Sequence, residues 1–132
     1  MSVNPALLRA VVERLATPVL KRASEAAADK MRANLSGSRT GIKHARLLNT
    51  SSAPGEYPAK QSGDLYYSID SRQIGFCLFG VGSWNAPPEA FKLEFDPPGF
   101  PGYPRKNSVG IRKWLSRTRD DPATAQAMRQ AL

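Results

Sequence analysis

Residues 65–81 read LYYSIDSRQIGFCLFGV, and this stretch decides the fold class. It holds two runs of aromatic and branched apolar side chains, the residue types that are enriched in β-strands. The polar residues Ser71, Arg72 and Gln73 separate the two runs, so the pattern predicts two antiparallel strands joined near 71–73. Cys77 falls within the second run, and we expect a small buried thiol there. The middle of the chain is thus predicted to form an antiparallel sheet of at least two or three strands.

A long helical pattern precedes this sheet. Asn4-Pro5 and Thr17-Pro18 each place an N-cap residue directly before a proline, which a helix tolerates at its first position, so two helical starts are implied. Apolar side chains recur at helical spacing between Leu8 and Leu35. The sequence therefore predicts one long amphipathic helix, kinked or broken, that ends near residues 36–37 and packs one apolar stripe on the rest of the protein.

Shorter helical patterns follow the sheet. Residues 86–89, APPE, place prolines in a first turn, which predicts a short central helix that reaches Phe95. Trp114 belongs to a short amphipathic pattern, and Asp121-Pro122 predicts the start of a last helix that runs towards Leu132. Helices at both ends of a small sheet indicate an α+β fold. A length of 132 residues is usual for one domain, so we expect 1–132 to form a single domain.

Two segments rich in proline and glycine interrupt these elements. Residues 49–61, NTSSAPGEYPAKQ, and residues 96–106, DPPGFPGYPRK, are both predicted as long loops, and residues 38–50 as a strand or an extended loop. Because Tyr57 is the one sizeable apolar side chain of 49–61, we expect this loop to project, to be mobile in an isolated subunit and to become ordered against a neighbouring subunit. The candidate subunit-interface residues are Pro54, Gly55, Glu56, Tyr57, Pro58 and Lys60.

Charge is unevenly distributed along the chain. The net charge is +8, and residues 1–47 and 101–132 are basic whereas residues 48–100 are acidic. Such separation favours nucleic acid as a partner or charge-complementary contact with neighbouring copies and proteins, and a solvated basic helix face is the alternative. No stretch approaches the roughly 20 apolar residues that span a bilayer, and no signal peptide is recognisable. We therefore expect a protein made and kept in a cytoplasm, with no membrane partner.

The sequence offers little for catalysis or metal binding. His44 is the one histidine and Cys77 the one cysteine, so no set of nucleophile, base and orienting group and no zinc or iron–sulfur spacing is present. Glu89 and Glu94 lie five residues apart, and we interpret them as solvated surface carboxylates. Residues 80–83, GVGS, lack the following helix and lysine of a phosphate-binding loop and fit the end of a strand. We expect no enzymatic activity, no cofactor and no metal.

The last third of the chain is a candidate surface for nucleic acid or for assembly. It mixes basic side chains with Tyr103 and Trp114, and such mixtures bind phosphates and stack on bases. Trp114 fits equally well as the buried anchor of its helix. No helix-turn-helix, zinc finger or ribbon signature is present, so we expect no reading of base sequence. The candidate contact residues are Arg105, Lys106, Arg112, Lys113, Arg117 and Arg119.

Three segments in a fixed order carry a more specific signal. They are APGEYPAKQSGDLYYSI at 53–69, VGS at 81–83 and PPEAFKLEF at 87–95. This order resembles the minor tail or head–tail joining protein family of tailed bacteriophages, which shows an Ala-Pro-Gly-x-Pro-Pro loop, a Thr-Gly-x-Leu-x-x-Ser-Ile element, a Val-Gly-Thr strand end and a Tyr-Ala-x-x-Leu-Glu-Phe-Gly helix. The matching residues are Ala53, Pro54, Gly55, Pro58, Gly63, Leu65, Ser68, Ile69, Val81, Gly82, Ala90, Leu93, Glu94 and Phe95.

The chain departs from the family pattern at Ser62, where threonine is usual, and at Asp96-Pro97, where Gly-Thr is usual. The resemblance implies a structural virion protein that forms a homo-oligomeric ring at the phage neck or the head-proximal tail end and resides in the host cytoplasm before assembly. Its implied partners are head-completion or portal-side proteins and tail-tube or terminator proteins, with duplex DNA passing non-specifically through the lumen. A tail terminator of the same fold and a basic nucleic-acid-binding module are the alternatives.

Overall fold

A computed structural model describes residues 2–53, 55–85, 87–95 and 112–132. Within these ranges no helix has both the length and the apolar character that crossing a membrane requires. The elements, in chain order, are α1 (Pro5–Leu35), α2 (Asp64–Ser68), β1 (Ile69–Gly75), β2 (Leu78–Ser83), α3 (Pro88–Phe95), α4 (Leu115–Asp120) and α5 (Pro122–Gln130). The predicted α+β class is confirmed, because the long N-terminal helix packs on a two-stranded antiparallel sheet and a short central helix and a C-terminal helix follow. The predicted loop 96–106 lies outside the described residues.

Helix α1 runs without interruption past its internal proline. The side chain of Asn4 caps it by accepting hydrogen bonds from the backbone N–H groups of Ala6 (3.0 Å) and Leu7 (3.5 Å), as predicted. The predicted second start at Thr17 is wrong, since Pro18 lies inside the helix. A proline removes one intrahelical hydrogen bond, and the helix continues because the following turns, from Ala23 to Leu35, are packed against the rest of the protein. The helix ends at Leu35 with Ser36 as its C-cap, after which Gly37 adopts a left-handed φ of 102°.

The hairpin is displaced from its predicted position. Residues 64–68 form the short helix α2 instead of a strand, and the turn lies at Phe76-Cys77 instead of 71–73. Ser71, Arg72 and Gln73 lie within β1, where polar side chains are tolerated because a two-stranded sheet exposes one face. Cys77 has a φ of 49° and is only partly buried, so the expectation of a buried thiol in a strand is wrong.

One core joins α1 to the elements that follow it. Ala28, Met31 and Leu35 of α1 form a buried cluster with Ile69, Ala90 and Trp114. The indole N–H of Trp114 donates a hydrogen bond to the Ala90 carbonyl at 2.9 Å. Trp114 is thus the buried anchor before α4, the structural alternative that the sequence left open. The guanidinium of Arg32 ties α1 to β1 by donating to the carbonyl of Ile69 at 2.8 Å.

The expectation that residues 49–61 project from the subunit is wrong. The Asn49 N–H donates to the side-chain oxygen of Gln61 at 3.0 Å, and the Gln61 side-chain amide donates to the Asn49 carbonyl at 2.9 Å. Arg39 donates to the carbonyls of Tyr57 (2.7 Å) and Pro58 (3.2 Å), and the Tyr57 ring packs on the core. Side chains of the same chain therefore form hydrogen bonds with backbone groups of this loop that a β-sheet would otherwise pair.

Residues 38–50 form an extended loop, one of the two predicted outcomes. Its backbone is tied to the following segment, because the Gly41 N–H donates to the Ser51 carbonyl at 2.9 Å and the Ser51 N–H donates to the Ile42 carbonyl at 3.1 Å. A Cβ atom at Gly41 would lie 2.8 Å from the Ser52 carbonyl carbon, so glycine is required where the two segments meet.

Candidate functional site

A buried carboxylate joins α3 to the start of α4. Glu94 is 4% exposed and accepts hydrogen bonds from the backbone N–H groups of Trp114 (2.9 Å), Leu115 (3.0 Å) and Ser116 (3.1 Å), and from the Ser116 hydroxyl. Burial opposes ionisation, but these hydrogen bonds outweigh it and hold the pKa of Glu94 below its ordinary value. The interpretation of Glu94 as a solvated surface carboxylate is wrong. Its role is to cap α4, a helix that carries two of the basic candidates, Arg117 and Arg119.

The two sets of sequence-predicted candidates meet at α4. Arg117 donates to the Gly55 carbonyl at 2.5 Å, and its guanidinium lies 4.4 Å from the centre of the Tyr57 ring. Arg112 donates to the Ser52 carbonyl through two nitrogens, at 3.1 and 2.9 Å. The structure thus brings the 49–61 loop onto the basic C-terminal segment of its own chain. Arg105, Lys106 and Pro54 lie outside the described residues.

The other two described basic candidates, Arg119 and Lys113, have different surroundings. The Arg119 guanidinium pairs with Asp120 at 2.7 Å, which raises the pKa of Arg119. Lys113 is exposed. A cavity of about 840 Å³ contains Lys113, Arg117 and Arg119 together with Asp120 and Asp121, so acidic groups offset part of its positive charge. This cavity holds Lys113, Arg117 and Arg119 of the predicted nucleic-acid or assembly surface, and Arg112 does not line it.

The polar loop candidates are also engaged within the chain. Glu56 accepts hydrogen bonds from the Thr40 hydroxyl (2.5 Å), the Ala53 N–H (2.8 Å) and the Thr40 N–H (3.1 Å). These bonds, led by that of the Thr40 hydroxyl, lower the pKa of Glu56 from 4.5 to about 2. The Lys60 ammonium lies 3.9 Å from the centre of the Tyr66 ring. Both side chains therefore hold the loop in place.

Helix α1 carries exposed apolar side chains on its N-terminal half. Its C-terminal half buries one face between Ala23 and Leu35. We call the exposed set the apolar stripe, and it consists of Leu8 (53% exposed), Val11 (46%), Val12 (40%) and Leu15 (69%). With about 100° of rotation per residue, the stripe lies roughly 150° around the helix from the buried face. The sequence expectation of one stripe packed along the whole helix is therefore wrong for the N-terminal half.

The hairpin packs beside this half of α1 without covering the stripe. The guanidinium of Arg9 lies 4.5 Å from the centre of the Phe76 ring at the hairpin tip. On an ideal helix Arg9 points towards the face that is buried further along, away from the stripe. Further along the stripe's own side lie the exposed charged residues Arg22 and Asp29, and Arg22 donates a hydrogen bond to the Ala131 carbonyl at 3.2 Å. The four side chains of the stripe are therefore exposed in the described part of the chain.

An apolar groove of about 420 Å³ lies near the other end of α1. We call it the apolar groove, and its apolar walls are Leu35, Leu47, Pro58, Leu65, Tyr66 and Leu93. Polar and charged side chains also line it: His44, Ser51, Ser52, Lys60, Gln61, Ser62, Asp64 and Arg112. Sequence reasoning missed the groove, because its walls come from five separate segments that only the fold brings together.

The catalytic candidates that the sequence set aside occupy separate places. Cys77 lies in the hairpin turn, whereas His44 is exposed in the loop that lines the groove. In the described ranges, His, Cys, Asp and Glu form no group of three or more that is arranged to hold a metal ion.

Comparison with known proteins leaves the family open. No family model matches the sequence, and no curated protein or solved structure matches it.

Proposed function

We propose that this protein is a structural virion subunit that forms a homo-oligomeric ring at the neck or head-proximal tail end of a tailed bacteriophage and joins head to tail. The observation that carries the proposal is the apolar stripe on α1. A monomeric soluble protein rarely leaves a contiguous apolar surface on a helix face turned away from its own body, and such surfaces mark interaction sites. Assembly would bury the stripe.

The positions that carry the family resemblance support the same proposal. Ile69 and Ala90 are buried in the core, and Leu65 and Leu93 pack against it. Glu94 caps α4 through its buried carboxylate. Part of the resemblance therefore rests on residues that determine how the elements pack, which is what a shared fold would require. A tail terminator of the same fold is compatible with the same residues.

A basic nucleic-acid-binding module is the second candidate. It is favoured by Lys113, Arg117 and Arg119 around one cavity. Two observations weaken it. Asp120 and Asp121 line the same cavity, and Arg117 already donates to the Gly55 carbonyl. In a ring these side chains would contact passing duplex DNA through its phosphates without reading its sequence.

The test is the assembly state of the purified full chain, measured by analytical ultracentrifugation and by negative-stain electron microscopy. We expect closed rings at micromolar concentration. A chain that remains monomeric up to the highest soluble concentration would overturn the proposal. Strongly salt-sensitive DNA binding by such a monomer would favour the nucleic-acid module, because phosphate contacts release counterions.

A further inference from the structure

We propose that the ring is built by insertion of the apolar stripe of one copy into the apolar groove of the next copy. This inference rests on the proposed ring and names the two surfaces that make its repeated contact. The occupant of the groove is thus a second copy of this chain. The contact is head-to-tail, since it joins two different surfaces of identical subunits.

The stripe has the spacing of a helix that docks in a groove. Leu8, Val11, Val12 and Leu15 occupy positions i, i+3, i+4 and i+7, the anchor pattern by which an amphipathic helix lays its apolar face into a hydrophobic groove. All residues from 2 to 15 are exposed, so a partner reaches this part of the helix from the stripe side without displacing any packed element of the described structure.

The groove has the size and lining that such anchors need. Its volume is about 420 Å³, and a cavity of about 150 Å³ already holds a benzene-sized group. Two or three aliphatic side chains therefore fit. Apolar groups supply most of its surface, and polar or charged side chains also line it: His44, Ser51, Ser52, Lys60, Gln61, Ser62, Asp64 and Arg112. A surface that is mostly apolar suits contact with aliphatic side chains.

The stripe and the groove of one subunit lie too far apart to meet, so the contact joins two subunits. Leu15 ends the stripe and Leu35 lines the groove, so twenty helical residues separate them by about 30 Å. A subunit is unable to fill its own groove with its own stripe. Pairing of stripe with stripe would make a two-fold dimer and leave the groove uncovered. Stripe-to-groove contact uses both surfaces and repeats around a ring.

The test uses two variants of the full chain, each with a charge on one surface. Leu8→Asp with Leu15→Asp changes the stripe, and Leu47→Glu changes the groove, at side chains that are 53%, 69% and 36% exposed. Leu132→Asp is the control, since Leu132 is 62% exposed and belongs to neither surface. Circular dichroism and urea unfolding establish that each variant folds. We expect each surface variant to weaken assembly at least about 100-fold, because a carboxylate would replace an apolar side chain of the contact, and the control to form rings.

Mixing the two surface variants provides the decisive measurement. Each alone lacks one half of the contact, but together they retain one intact stripe and one intact groove. We expect the mixture to form 1:1 dimers in analytical ultracentrifugation, with no larger rings. Rings that persist in either folded surface variant would overturn the inference and leave the ring proposal standing. If the stripe variant failed to assemble while the groove variant assembled normally, the contact would be stripe-to-stripe pairing and the inference would be overturned. A native chain that stays monomeric would overturn both proposals.

Discussion

The carboxylate of Glu94 accepts a hydrogen bond from the backbone N–H of Trp114 at 2.9 Å, so a side chain of α3 caps α4 across twenty residues of sequence. The residue before α4 is itself Trp114, which offers no side-chain cap. Orphan N–H groups at a helix start need acceptors, and Glu94 supplies them for three consecutive residues. The buried indole of Trp114 and this carboxylate together fix the approach of the C-terminal segment to the core.

Replacement of Glu94 should therefore destabilise the fold. We expect Glu94→Ala to lower the free energy of unfolding by about 2–4 kcal/mol, since it leaves buried donors without an acceptor. Glu94→Gln should lower it by about 1–2 kcal/mol, because one oxygen is replaced by an amide donor that faces other donors. Urea unfolding measures both values. Glu13→Gln on the exposed part of α1 is the control, and equal effects for Glu13→Gln and Glu94→Gln would contradict the capping role.

Acid should destabilise the protein through Glu56. Its pKa is lowered from 4.5 to about 2, so the folded state favours the charged carboxylate. The stabilisation is fully present above the unfolded-state pKa and is lost as pH falls through the folded-state pKa, between about pH 5 and pH 2. Urea midpoints measured across this range should fall less steeply in Glu56→Gln than in the native chain. Identical slopes in the two proteins would show that the Thr40 and Ala53 hydrogen bonds do not hold this carboxylate.

The sequence predicted those features whose determinants are local. Asn4 and Asp121 cap their helices by accepting from N–H groups two residues away, and both were recognisable as a polar residue before a proline. The carboxylate of Glu94 and the guanidinium of Arg39 act on groups twenty and eighteen residues distant. No local pattern encodes such pairs, so a surface carboxylate and a projecting loop were predicted instead.

The candidate site shows the same limit. The apolar side chains of the stripe recur at helical spacing in the sequence. Which way they face depends on how far around the helix they lie from the buried side chains in the C-terminal half of α1. Reading the spacing as one continuous stripe hid this difference in direction. The groove depends on Leu35, Leu65 and Leu93, which lie in three elements that meet only after folding.

The turn position of Cys77 leads to a further prediction. Its φ of 49° is left-handed, a conformation that costs an L-residue about 1–2 kcal/mol. We expect Cys77→Gly to be neutral or to stabilise the fold by up to about 1 kcal/mol, and Cys77→Val to destabilise it by about 1–2 kcal/mol. Urea unfolding under reducing conditions measures both. The opposite ranking, with valine tolerated and glycine destabilising, would place Cys77 in a strand.

Replacement of Tyr57 tests whether the 49–61 loop is part of the subunit's own fold or becomes ordered only on assembly. Its ring packs on the core and under the Arg117 guanidinium, and its hydroxyl accepts a hydrogen bond from the Asn34 side chain at 3.1 Å. We expect Tyr57→Ala to lower the free energy of unfolding by about 2–4 kcal/mol and Tyr57→Phe by about 0.5–1.5 kcal/mol. Tyr67→Ala and Tyr67→Phe are the controls, since Tyr67 is 74% exposed.

Residues 49–61 should also resist proteolysis in a monomeric surface variant. If Tyr57→Ala kept its unfolding midpoint but failed to assemble, the loop would be an assembly arm and its contacts with α1 and α4 would contribute little to stability.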